Sequence, residues 1–193
     1  MTDHDAFRKR GQALENEYFQ RVDEALLKNL REASEREEQV EALTKAAGLH
    51  DQELASELLE MGIDAGNFAA FALTPLVFVA WADGNVSNSE RQAVISSALR
   101  RGVNSDPLAF KLLEQWMQVR PSRELWTLWQ KYARDLHQSL PPTTADKLSR
   151  RLIAQAEEVA KASGGVLGIG KVCAAEQRLL DEIALVLPER SLS

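Results

Sequence analysis

Two segments of the chain share one pattern, Gly-x-Val-x-x-x-Glu, at Gly84 to Glu90 and again 86 positions on at Gly170 to Glu176. The spacing constrains the fold because it is a helix start. Ser87 with Glu90 three residues later forms a capping box: the hydroxyl accepts from the Glu90 amide and the carboxylate accepts from the Ser87 amide. Two of the donors that a new helix leaves unpaired are thereby satisfied. Val86 stands where an apolar residue staples the incoming chain. In the second copy Cys173, a poorer cap, replaces the serine, and Glu176 is retained. The match continues at Ala98/Ala184 and Leu99/Leu185, and both copies follow an alanine-rich segment. Two such helix-turn-helix units in a short chain predict pseudo-twofold packing around a shared core.

Helix stops are as regular as the starts. Gly48-Leu49, Gly62-Ile63 and Gly102-Val103 each place glycine and then an aliphatic residue after an apolar-periodic segment. Glycine there takes the left-handed position, and the aliphatic residue packs back onto the last turn. Asp51, Asp64 and the stretch Asn104 to Asp106 follow as caps for the next helices. Helices are predicted near Asp51 to Met61, Ala65 to Ala82, Asn88 to Arg101, Ser105 to Val119, Ser122 to Ser139, Thr144 to Ala162 and Ala174 to Leu187. No alternating apolar run bounded by turn residues predicts a strand. The expected fold is all-α: a bundle of about seven helices at 48–193 with an internal repeat, preceded by a long N-terminal helix at 1–47.

That first helix carries its own pattern. Asp5 to Ala47 contains no proline and one glycine, and Phe7, Leu14, Tyr18, Val22 and Leu26 follow at intervals of seven, four, four and four, flanked by Phe19 and Leu30. The result is a single apolar stripe. It thins beyond Leu30, where Arg31 to Gln39 reads as a solvated face or a frayed joint rather than core. A stripe this apolar is expected to be covered, by the bundle, by a second copy of the chain or by a protein partner.

Charge and cysteine content narrow the setting. With 23 basic and 29 acidic residues the formal charge is −6, which argues against a nucleic-acid partner. The single Cys173 forms no intramolecular disulfide framework and suits a reducing compartment. Met1 to Arg10 has no apolar stretch resembling an export signal. The uncharged stretch Asn67 to Ala82 contains Pro75 and is short of the ~20 residues that span a bilayer. A cytoplasmic chain without a membrane span is the expectation.

The segment from Leu76 through Ala80-Trp81-Ala82-Asp83-Gly84-Asn85-Val86 to Glu90, with a second unit downstream, resembles the TerB-like helical family associated with bacterial tellurite-resistance and stress systems. The resemblance covers roughly Asp64 to Leu187 and is most specific at Ala-Trp-Ala-Asp-Gly. It implies an all-helical bundle, a bacterial cytoplasmic module and acidic residues able to hold a divalent cation. Asp83 and Glu90 match the acidic pattern in the first copy, whereas Ser163 or Ile169 stands where Asp83 would be in the second. Asp83, Asn85 and Glu90 are therefore the candidate metal ligands. The same stretch overlays the later positions of an EF-hand loop, but Val79 and Trp81 would fill its first and third ligand positions and cannot coordinate calcium.

Other patterns carry less. Gly165 to Lys171 fits Gly-x4-Gly-Lys, but Val172 replaces the Mg²⁺-binding hydroxyl, and neither a preceding strand nor a later strand ending in aspartate is present. Cys173 stands at a helix start, where the dipole can lower a thiol pKa, yet His4, His50 and His137 show no spacing that supplies a base or a zinc set. Trp116, Trp126, Trp129 and Tyr132 read as core, with room for one exposed tryptophan as a binding anchor. No catalytic set of acid, base and nucleophile is found. The leading expectation is a non-enzymatic interaction module needing no cofactor, docking through Phe7, Leu14, Tyr18, Phe19, Val22 and Leu26. The alternative is a divalent-metal-binding stress protein.

Overall fold

The structure, a computed structural model, describes residues 3–103, 106–163 and 172–188, with side chains for 20–103, 106–162 and 172–188. Among these residues the chain is all-helical, with nine helices and no strand. They are α1 (Asp3–Ala47), α2 (Gln52–Glu60), α3 (Phe68–Phe71), α4 (Thr74–Ala80), α5 (Asn88–Arg100), α6 (Pro107–Trp116), α7 (Arg123–Ser139), α8 (Pro142–Ser163) and α9 (Ala174–Val186). None of them is long and apolar enough to cross a membrane.

The punctuating glycines act as their position demands. Gly48, Gly62 and Gly102 have φ of 64°, 77° and 76°. At the first two, the amide of the following aliphatic residue reaches back to the last turn, Leu49 to the Thr44 carbonyl at 3.0 Å and Ile63 to the Leu58 carbonyl at 2.9 Å. Leu49, Ile63 and Val103 are all buried, so each stop also adds to the core. Asp51 caps α2 by accepting from the Glu53 and Leu54 amides, and Asp106 caps α6 by accepting from Leu108 and Ala109.

Three expectations shift. The helix predicted over Ala65 to Ala82 is two, α3 and α4. Asp64 does not start it; its carboxylate accepts from the Gly66 and Asn67 amides and organises a turn. Proline at the second position of α4 explains the break, because it has no amide to continue α3 through. The bundle consequently has eight helices, α2–α9, where about seven were expected. Helix α8 begins at Pro142 rather than after it, since a first-turn proline removes only a donor with no intrahelical partner. Ser122 occupies the start of α7, but its side chain makes no capping bond.

Two compact units divide the chain, one up to Gln39 and one from Val40 onward. In the first, α1 runs helical through Arg31 to Gln39 with every side chain of that stretch exposed. In the second, the last turns of α1 bury Leu43 and Ala47, and the centre is α4, all seven of whose residues are buried. Helices α5, α7, α8 and α9 pack around it. A helix apolar on all sides must be enclosed on all sides, and this accounts for the uncharged run. Each fully buried Leu, Val or Phe there contributes roughly 1.5–3 kcal/mol relative to exposure.

Candidate functional site

The acidic turn begins where α4 ends. Trp81 closes the helix, and its indole Nε1 donates to the Trp116 carbonyl at 2.7 Å. Arg91 donates to the Met117 carbonyl at 2.8 Å. Both acceptors lie at the end of α6, where carbonyls lack intrahelical donors, so the two side chains brace α6 against the turn. Gly84 has φ of 97°, with nothing within 4 Å of where a Cβ would stand. Its requirement is conformational rather than steric. The Asp83 carboxylate accepts from the Asn85 amide at 3.0 Å and rounds the turn.

The chain then enters α5 through the predicted capping box. Ser87 Oγ accepts from the Glu90 amide at 3.2 Å, and Glu90 Oε2 accepts from the Ser87 amide at 2.7 Å. The second copy forms the same device: the Cys173 thiol accepts from the Glu176 amide at 3.4 Å, and the Glu176 carboxylate accepts from the Cys173 amide. Both glutamates are interior groups, 2% and 1% exposed. Burial holds the Glu90 carboxyl above its ordinary pKa; the two Ser87 hydrogen bonds oppose this, and the nearby charges of Asp83 and Glu176 add to it.

Asp83 and Asn85 are exposed, while Glu90 is buried in its box. Asp83 and Glu90 each have a structural task without a ligand, rounding the turn and completing the capping box. Among the described residues no group of three or more His, Cys, Asp or Glu side chains is placed to hold a metal ion. Val79, at the would-be first EF-hand position, is buried in the core.

For the docking stripe, the side chains of Phe7, Leu14, Tyr18 and Phe19 lie outside the described residues. Val22 is half-buried, and Leu26 is 54% exposed, with Leu27 and Leu30 at 53% and 66%. The glycine-rich segment Gly165 to Lys171 also lies outside them, as do the Ser163 side chain and Ile169. No tryptophan of the cluster serves as an exposed anchor: Trp116, Trp126, Trp129 and Tyr132 are buried, and Trp126 stacks on Trp129 with centroids 5.1 Å apart. The aromatic spacing gave no sign that Trp126 would donate to Glu182 of α9 at 2.9 Å, a contact made across 56 positions.

Comparison with protein-family models, curated proteins and solved structures finds no match to this chain.

Proposed function

We propose that this protein is a non-enzymatic, TerB-like interaction or scaffold module of a bacterial stress-response type, docking through its N-terminal helix. One observation carries the reading: Leu26, Leu27 and Leu30 are all exposed on a 45-residue helix. Leu26 and Leu30 stand one turn apart in phase with Val22, so they extend the stripe that Phe7, Leu14, Tyr18 and Phe19 begin. Such a stripe fits an amphipathic helix of a second copy or of another protein. The matched capping boxes of α5 and α9 support the internal repeat read from the sequence.

The test is the full chain carrying Leu26→Glu and Leu30→Glu, alongside a deletion of 1–39 that spares the buried Leu43 and Ala47. Sedimentation velocity and affinity capture are compared with the wild type. Loss of self-association or of captured partners, with thermal unfolding of the double variant unchanged, is expected. Identical behaviour in both assays removes the reading.

A divalent-metal-binding stress protein using Asp83, Asn85 and Glu90 is the second reading. It is favoured by the charges of Asp83 and Glu176 acting together on Glu90, a repulsion that a divalent cation would relieve. Calorimetric titration with Ca²⁺, Mg²⁺, Mn²⁺ and Zn²⁺ decides it. Heat abolished by Asp83→Ala is expected; no heat, or heat indifferent to that change, eliminates it.

A further inference from the structure

A second site lies where α5, α7 and α8 meet. Arg101, the residue that closes α5, reaches α8 and donates through Nε to Gln155 Oε1 at 3.1 Å and through Nη2 to the same oxygen. Gln155 is buried. Beside the guanidinium is a cavity of about 140 Å³ lined chiefly by Trp129, Tyr132, Leu148, Leu152 and Leu187.

The charge at this place is unbalanced. Arg100 next door is paired with Glu158 at 2.6 Å, whereas Arg101 has no carboxylate partner among the described residues. Burial pushes its guanidinium below the ordinary arginine range, and the charge of Arg151 pushes the same way. Arg151 follows Leu148 by three positions and precedes Gln155 by four, which puts it on the same side of α8. Arg101 thus brings a cation to an apolar cavity in a chain of net charge −6, with the exposed Arg151 close enough to act on it. The helix end favours a cation at Arg101, but it does not explain the apolar cavity that the guanidinium borders. A partly desolvated charge that lacks a counter-ion is costly, and a bound anion offsets that cost. A guanidinium has five N–H donors, so one amide oxygen leaves several for a carboxylate. Burial pushes the Tyr132 hydroxyl up to about 12, so it lines the cavity as an uncharged phenol at neutral pH.

We propose that this cavity binds a small amphipathic carboxylate, its head on Arg101 and an apolar tail of about ring size among Trp129, Leu148 and Leu152. The size follows from volume, since an apolar cavity of about 150 Å³ holds one benzene ring. A charge-assisted contact to Arg101 distinguishes this ligand from a neutral one of the same shape.

The experiment is calorimetric titration of the full chain with hexanoate and 3-phenylpropanoate, each against its alcohol of equal length. The acids are expected to bind at least about tenfold tighter than the alcohols, the discrimination of one hydrogen bond to a charged group. Arg101→Met, which keeps the aliphatic stem, removes that preference. Gln155→Glu supplies an internal counter-ion and displaces the acids; it serves as the independent variant if near-ultraviolet circular dichroism shows that Arg101→Met disturbs the fold. Failure of both acids to bind, equal affinity for acid and alcohol, or acid binding unchanged in the folded variants overturns the proposal.

Discussion

At Ser87 the chain enters α5 with φ −70° and ψ 162°, and at Cys173 it enters α9 with φ −74° and ψ 164°. The backbone is the same although the capping atom is an oxygen in one copy and a sulfur in the other. The carboxylate three residues on does not vary. A thiol is a weak acceptor, so the second box rests more heavily on its glutamate, which in both copies satisfies the cap residue's amide while filling buried space. Glu90 also has Asp83 behind it; of the residues aligned with Asp83 in the second copy, the Ser163 side chain and Ile169 lie outside the described residues.

Removing either glutamate should disturb this pairing most. Glu90→Ala and Glu176→Ala each strip a carboxylate from a helix-start amide and leave a void, with an expected loss of about 2 kcal/mol in urea unfolding. A large gap between the two losses would break the equivalence of the boxes. Ser87→Ala is expected to cost about 1 kcal/mol, and Cys173→Ala distinctly less. Equal costs would mean that sulfur caps as well as oxygen. Smaller still, Cys173→Ser should raise stability by about 0.5 kcal/mol, because a hydroxyl restores the stronger cap.

The smallest effect is the pH dependence of Glu90, since its hydrogen bonds to Ser87 offset part of what burial does. Its folded pKa lies above the ordinary 4.5. Below 4.5 both folded and unfolded states hold the proton and nothing is lost. As pH rises, the unfolded chain releases its proton first, so stability declines until the folded carboxyl also ionises and then levels off. Glu90→Gln keeps an acceptor for the Ser87 amide and should flatten that decline in unfolding curves between pH 4 and 7. An unchanged slope would assign the pH dependence to other groups.

The helix boundaries were legible wherever the deciding residues lie within one turn of each other. Ser87 and Glu90 announce α5, Asp51 announces α2, and Gly48 and Gly62 mark the ends of α1 and α2 without reference to the rest of the molecule. Asp64 misled because accepting from the two amides that follow serves a turn as well as it serves the cap at Asp51; what differs is that residues 65–67 stay in turn and α3 starts only at Phe68. The candidate metal residues were legible as a pattern, yet the burial of Glu90 and the approach of Glu176 were not, because both depend on α9 returning to α4. Nothing in the sequence distinguishes Arg101 from the adjacent Arg100. Its hydrogen bond to the buried Gln155 spans 54 positions.

What the sequence determined by itself, then, is the paired helix starts, the glycine stops and an all-helical chain, because capping, left-handed glycine and missing proline amides act through the local backbone. Tertiary structure alone decided that α4 is central, that the tryptophans are buried, that two capping glutamates lie in the interior and that an arginine without a carboxylate partner among the described residues borders a cavity. Burial and electrostatic environment depend on which distant surfaces exclude water, and no local spacing encodes that.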